Sequence, residues 1–171
     1  MKISTSSALA AVLCATVWTA APSGAETPSP AGAQVYIINL KNGDTVTSPF
    51  KVQFGLTGMG VAPAGVEKPN TGHHHLIIDA TLSPDELKAP IASDARHMHF
   101  GAGQTEAMIT LPPGKHTLQL VVGDWSHIPL SPPVMSEQIT ITVADAAKET
   151  AKEPEKEPKK HTRRRAHHRT H

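Results

Sequence analysis

The chain has 171 residues and a formal net charge of +1 at pH 7. Its single cysteine, Cys14, lies in an N-terminal segment that we expect to be removed, which excludes disulfides, thiolate metal ligands and a cysteine nucleophile from the mature protein. The small net charge is the sum of two segments with opposite net charges. Residues 26–147 carry six Lys/Arg against eleven Asp/Glu, a net charge of −5, and residues 148–171 carry nine against four, a net charge of +5.

Residues 1–25 have the layout of a secretory signal peptide. Lys2 supplies a positive n-region, ALAAVLCATVWTAA an apolar h-region, and Ser23-Gly24-Ala25 a small-residue cleavage site. Cleavage after Ala25 would leave Glu26 as the mature N-terminus, without a transmembrane segment, in a periplasmic or secreted protein.

Residues 33–145 predict one domain, preceded by a short linker over 26–32. A β-branched apolar run over 33–40 ends at the turn KNGD, and apolar and polar residues then alternate over 51–56. A loop containing Gly and Pro leads into the histidine-rich run GHHHLIIDA, and SPDEL predicts a Ser-capped helical turn.

The second half of the domain continues this pattern. EAMITLPPGKHTLQLVVGD predicts two strands joined by a Pro-Pro-Gly turn, and SEQITITV predicts the last strand. About seven short strands without helical periodicity favour an all-β fold, an immunoglobulin-like antiparallel β-sandwich.

Residues 146–171 predict a disordered, basic, histidine-containing tail. From residue 148 onward the tail has no aliphatic side chain larger than alanine, so it cannot bury enough apolar surface to offset the entropy of ordering. Such a tail either keeps the protein soluble or contacts an anionic envelope polymer. Its four histidines could also hold metal loosely.

Two H-x-H pairs are the most distinctive feature of the domain. Side chains alternate across a strand, so His73 and His75 should share one face while His74 points to the other. His97 and His99 should share a face in the same way. Two such pairs on neighbouring strands could surround one ion, and imidazole suits copper or zinc.

Other residues could complete such a centre. His127 is a further candidate ligand, and Met98 is a possible thioether ligand, which would add a preference for Cu(I). Asp79, Glu106 and Asp124 are the carboxylates expected to orient the ligand rings. The same histidines could instead form a structural or pH-sensitive hydrogen-bonded network. We expect His116 either to belong to such a network or to be exposed.

The chain lacks the usual signatures of a catalytic site. It contains no G-x-S-x-G nucleophile elbow, P-loop or complete G-x-G-x-x-G. An enzyme is therefore less favoured than a binding protein, although a metal-bound water could still supply catalysis.

The segments GHHHLIID, HMHFGAGQTE, LPPGKHTLQLVVGDWSH and SEQITITV resemble a bacterial envelope family, the domain of unknown function numbered 4399. The resemblance covers roughly residues 50–143. It implies export and a β-rich domain, and it brings no established activity.

The stretch LPPGKHTLQLVVGDWSHIPLSPPVMSEQITITV is also similar in layout to the last strands of CopC-type periplasmic copper carriers, which are immunoglobulin-like sandwiches. That resemblance places Asp124 and His127 at the carriers' Asp and His copper ligands. The carriers have D-x-H where this chain has D-W-S-H, and a histidine at the mature N-terminus where this chain would have Glu26. A copper site would therefore have to use the H-x-H pairs.

These observations predict an exported, monomeric protein that binds copper or zinc for sequestration or delivery, exchanging the ion with a donor or acceptor. The alternative is an envelope binding module with a structural histidine network and a tail on an anionic polymer. A metal-dependent enzyme is the second alternative.

Overall fold

The computed structural model describes residues 26–145. The predicted signal peptide and the predicted tail lie outside the described residues. Within them, nine strands form, and one 3-10 helix covers Glu86–Lys88. The strands are β1 Gln34–Ile37, β2 Thr45–Val46, β3 Phe50–Thr57, β4 Gly60–Val61, β5 Thr71–Ile78, β6 His97–His99, β7 Glu106–Ile109, β8 Gly114–Gly123 and β9 Ile139–Val143.

The strands make two sheets. One has the order β1-β3-β7, and the other has the order β2-β9-β8-β5-β4, with β6 also paired to β5. The longer strands pair antiparallel, while the two-residue strands β2 and β4 add short parallel pairings. The predicted all-β sandwich is confirmed, and the strand number exceeds seven because of β2 and β4.

The core lies between the two sheets and is mainly aliphatic. Val52 and Phe54 of β3 pack with Leu76 of β5 and with Leu118 and Leu120 of β8 in one buried cluster. These residues alternate with polar or outward-facing neighbours, so period-two patterning decides which side chains reach the core. Burial of this face fixes the register of β5 and β8.

A smaller apolar cluster covers the opposite face of the six-stranded sheet. Ile77 and Val121, on β5 and β8, pack there with Leu82 and Ile91 from the connection between β5 and β6. Within this connection, the predicted helical turn appears as the 3-10 helix, and Ser83 and Glu86 exchange hydrogen bonds. Strand β5 is therefore buried on both faces.

The N-terminal end of the described chain lies against the segment that follows β8. Ser29 donates its backbone N–H to Ser131, and Ser131 donates to Thr27. No helix among residues 26–145 is long and apolar enough to cross a membrane.

Candidate metal centre

Strand β5 carries its three histidines on two different faces. His74 points into the sandwich core, where its ring lies 5.2 Å from the ring of Phe54. His73 and His75 point to the opposite face, and each is 1% exposed. The alternation expected for a strand thus separates one core histidine from two that can act together.

Strand pairing brings other elements to His73 and His75. His75 lies directly opposite His99 of β6, and His73 lies opposite Gly123 at the end of β8. The chain leaves β8 at Gly123 and returns at Pro129, and His127 lies in the loop between them. A central strand, an edge strand and a loop thus meet at one place.

Four imidazoles converge there. One ring nitrogen from each of His73, His75, His99 and His127 lies within 4.8 Å of the other three. Nε2 of His73 is 3.0 Å from Nε2 of His75 and 3.2 Å from Nδ1 of His127. We refer to these four residues as the histidine cluster.

The loop that presents His127 is built on Asp124. The Asp124 carboxylate accepts hydrogen bonds from the backbone N–H groups of Ser126 and Ile128 and from the Ser126 and Thr27 hydroxyls. The backbone N–H of His127 donates to the Asp124 carbonyl oxygen at 3.0 Å. His127 has φ +71°, a left-handed conformation that costs energy for a non-glycine residue and is held by these surrounding bonds.

Two glycines let the rings approach the backbone. A Cβ on Gly123 would lie 2.9 Å from Nε2 of His75, and a Cβ on Gly101 would overlap the His99 ring. Neither glycine was singled out from the sequence. The G of VVGD and the first G of FGAG are the signals available, and their meaning depends on a pairing between strands distant in sequence.

Burial favours the neutral form of three of the four rings. Burial, followed by the charge of His99, lowers the pKa of His73 to about 4, and burial, followed by the charge of His73, lowers the pKa of His75 to about 3. Burial also lowers the pKa of His99. Neutral imidazoles carry the lone pair that a metal ion needs.

A negative charge lies beside these neutral rings. Burial alone would raise the pKa of Asp124, but hydrogen bonds from Thr27, Ser126 and Ile128 lower it, so the group is a carboxylate at neutral pH. Its charge favours the cationic form of His73. The same field would favour a bound cation.

The donor set fits a transition-metal ion. Lone pairs that face one another at 3.0 and 3.2 Å repel unless a proton or a cation lies between them. Imidazole nitrogens bind zinc at about 2.0–2.1 Å, so neighbouring ligand nitrogens of a tetrahedral site lie about 3.3 Å apart. Both short separations are close to that value.

His97 and Met98 lie outside the cluster. His97 pairs with Ile77, two positions beyond His75 along β5, and is thereby placed away from the cluster. Its Nδ1 is instead 2.9 Å from the Asp94 carboxylate. Met98 points to the other face and packs against the sandwich core, as alternation requires. The structure therefore does not bring the Met98 thioether to the histidines.

The predicted orienting carboxylates also have other partners. Asp79 is 2.7 Å from Nδ1 of His116, and Glu106 on β7 accepts hydrogen bonds from Lys51 and Gln53. The expected network role of His116 is confirmed, since its Nε2 also contacts the Pro112 carbonyl oxygen.

Three buried nitrogens of the cluster residues lack such partners. Nδ1 of His73, Nδ1 of His75 and Nε2 of His99 are buried and have no hydrogen-bond partner within residues 26–145. The Asp124 carboxylate accepts hydrogen bonds from the loop backbone rather than from the His127 ring. Of the two positions matched to the CopC-type ligands, only His127 belongs to the cluster.

A family model described as a domain of unknown function (DUF4399) matches residues 52–144, which is more than half of the chain. All four histidines of the cluster lie inside the matched segment. No curated protein and no solved structure matches the chain.

Proposed function

The chain belongs to the DUF4399 family, and we propose that it is an exported protein that binds one transition-metal ion, copper or zinc, through the histidine cluster. The observation that carries the proposal is the convergence of four ring nitrogens, within 4.8 Å of one another, from β5, β6 and the loop after β8. Burial of His73 and His75 adds support, because it holds both rings in the neutral, metal-binding form.

The proposed role is sequestration or delivery of the ion in the cell envelope by a monomer. The n-region, h-region and cleavage-site pattern of residues 1–25 supports export. His99 and His127 are only partly buried, whereas His73 and His75 are fully buried. An ion would therefore enter and leave past His99 and His127, where a donor or acceptor could reach it.

Isothermal titration with Zn(II) and with Cu(II) tests this proposal. The tail histidines should first be replaced by glutamine, because they could bind metal weakly; they are His161, His167, His168 and His171. We expect one tight site per chain. Changing His99 or His127 to alanine should weaken it at least tenfold, while His97→Ala should leave it unchanged.

The absence of saturable binding in the chain with an intact cluster would contradict the proposal. Equal affinity in the His97→Ala, His99→Ala and His127→Ala variants would contradict the assignment of these ligands. Circular dichroism of each variant shows whether a loss of binding reflects a loss of fold.

A structural histidine network is the second candidate, favoured by the direct contacts of His73 with His75 and with His127. In that case the rings hydrogen-bond one another and stabilise the junction of β5 with the loop after β8. The function would then be that of an envelope binding module whose basic tail contacts an anionic polymer. Unfolding of the His99→Ala and His127→Ala variants, without metal binding by the parent, would favour this candidate.

A further inference from the structure

We infer that the histidine cluster is a closed, near-tetrahedral centre for Zn(II), with four imidazole ligands and no coordination position left for water. This inference rests on the proposed function and names the ion and the coordination of that same site.

The separations of the ring centres distinguish the possible geometries. An imidazole nitrogen lies about 2.0–2.1 Å from zinc and its ring centre about 1.15 Å farther out, so a tetrahedral centre places all four ring centres about 5.2 Å apart. A square-planar centre would give four separations of about 4.5 Å and two, across the ion, of about 6.4 Å.

The cluster lies closer to the tetrahedron. Five of its six ring-centre separations are 4.7, 4.8, 5.0, 5.1 and 5.1 Å, and only His75 and His127 are wider, at 6.1 Å. In a square plane, His73 and His99 would also stand across the ion, yet their ring centres are 5.0 Å apart. The four ring centres, contributed by β5, β6 and the loop, therefore lie around a point in three dimensions rather than in one plane.

Ligand chemistry then selects the ion. Cu(II) favours square-planar or tetragonal nitrogen sites, and Cu(I) favours soft sulfur ligands. The Met98 sulfur packs in the sandwich core, on the opposite face of β6 from the cluster. Zn(II) has no geometric preference from its d electrons and accepts four imidazoles in a tetrahedron.

Four protein ligands also determine what the centre can do. Catalytic zinc sites have three protein ligands and keep one position for water, whereas structural sites are filled by four. Gly101 and Gly123 bring the backbone against the rings of His99 and His75, so little space remains beside them for a fifth ligand. This geometry favours storage or transfer of the ion over hydrolysis.

Cobalt(II) substitution tests the inference, since tetrahedral Co(II) absorbs visible light far more strongly than octahedral Co(II). The chain with glutamine at the four tail positions should give intense bands that azide does not change. His127→Ala should open one position, so azide should then shift the bands, and His97→Ala should behave like the parent.

Weak octahedral bands, or azide sensitivity in the parent, would overturn the closed tetrahedral centre while leaving metal binding intact. A spectrum unchanged by His127→Ala would remove His127 from the ligand set and also overturn it. Failure to bind Co(II) and Zn(II) at all would contradict both the inference and the proposed function.

Discussion

His73 and His75 are buried imidazoles that the folded chain keeps neutral near pH 7. Desolvation penalises the imidazolium, and a charge on either ring would repel a charge on the other. A buried polar group without a partner costs about 1–3 kcal/mol. Nδ1 of both rings has no hydrogen-bond partner among residues 26–145, so the two rings are costly features for a core to retain.

The lowered pKa values predict acid sensitivity of the metal-free protein. In the unfolded chain both rings have a pKa of about 6.5, so below that pH the unfolded state takes up protons that the folded state refuses. The contribution of these two rings to the free energy of unfolding is complete above their pKa in the unfolded chain. It is lost as the pH falls toward their pKa values in the folded chain, about 4 for His73 and about 3 for His75. Between about pH 7 and about pH 5, the free energy of unfolding should fall by about 2 kcal/mol per histidine.

Urea unfolding of the metal-free protein at the two pH values measures this loss. The double variant His73→Leu with His75→Leu removes both titrating groups and should show a correspondingly smaller loss. The same loss in parent and double variant would show that other groups cause the acid sensitivity.

Gly101 should control the position of the His99 ring. Its backbone is not in the left-handed region, but an added Cβ would overlap that ring. Gly101→Ala should therefore displace His99 and weaken metal binding about tenfold, which corresponds to about 1.4 kcal/mol. Titration calorimetry measures the affinity. Ala102→Ser, a change at the exposed neighbouring residue, serves as the matched control, and equal affinities in both variants would show that the ring position does not matter.

Among the elements, the loop after β8 depends on the N-terminal stretch. The Thr27 hydroxyl donates to the Asp124 carboxylate at 2.6 Å, and that carboxylate organises the backbone that presents His127. Within the predicted linker over 26–32, Thr27 contacts this loop and Ser29 contacts Ser131, just after it. These contacts couple the start of the domain to the candidate centre.

Thr27→Val should loosen the loop without changing the shape of the side chain. The loss of a hydrogen bond to a charged group costs about 1.5–3 kcal/mol, so metal affinity should fall by roughly tenfold or more. Thr27→Ser keeps the hydroxyl and should retain most of the affinity. Calorimetry on the two variants gives the comparison, and equal affinity for valine and serine would show that the hydroxyl does not support the loop.

Short-range patterns predicted most of the elements. Alternation over 51–56 and 117–122 identified β3 and β8, and the same rule separated His74 from His73 and His75. The histidines themselves indicated a site because H-x-H places two imidazoles on one strand face.

The pairing between strands distant in sequence cannot be predicted from such short-range patterns. The register that sets His99 opposite His75, and His97 opposite Ile77, depends on how β6 joins the edge of β5. Likewise, Asp79 and Glu106 were expected near the histidines from sequence proximity, but β5 and β7 direct them to His116 and to Lys51. The cluster therefore differs from the predicted set of site residues because the pairing register between distant strands decides which side chains meet.

At the scale of the whole molecule, an ion would join parts of the chain that lie far apart in the sequence. The cluster links a central strand, an edge strand and a loop, and it lies on the face of the six-stranded sheet opposite the main core. Binding to the folded state alone stabilises a protein by about 2.7 kcal/mol when the free ion is at a hundred times its Kd.

Zinc should therefore raise the melting temperature of the chain that carries glutamine at the four tail positions. The rise should amount to several degrees, and a chelator should reverse it. Thermal unfolding followed by circular dichroism measures the shift. His97→Ala should show the full shift and His127→Ala a reduced one, whereas equal shifts in both would place the stabilising ion elsewhere.

The most direct test is a crystal structure of the zinc-loaded protein with anomalous data on both sides of the zinc absorption edge. We predict one strong anomalous peak, about 2.0–2.1 Å from a ring nitrogen of each of His73, His75, His99 and His127. A peak held by other residues, or no peak at the cluster when zinc is in excess, would contradict it.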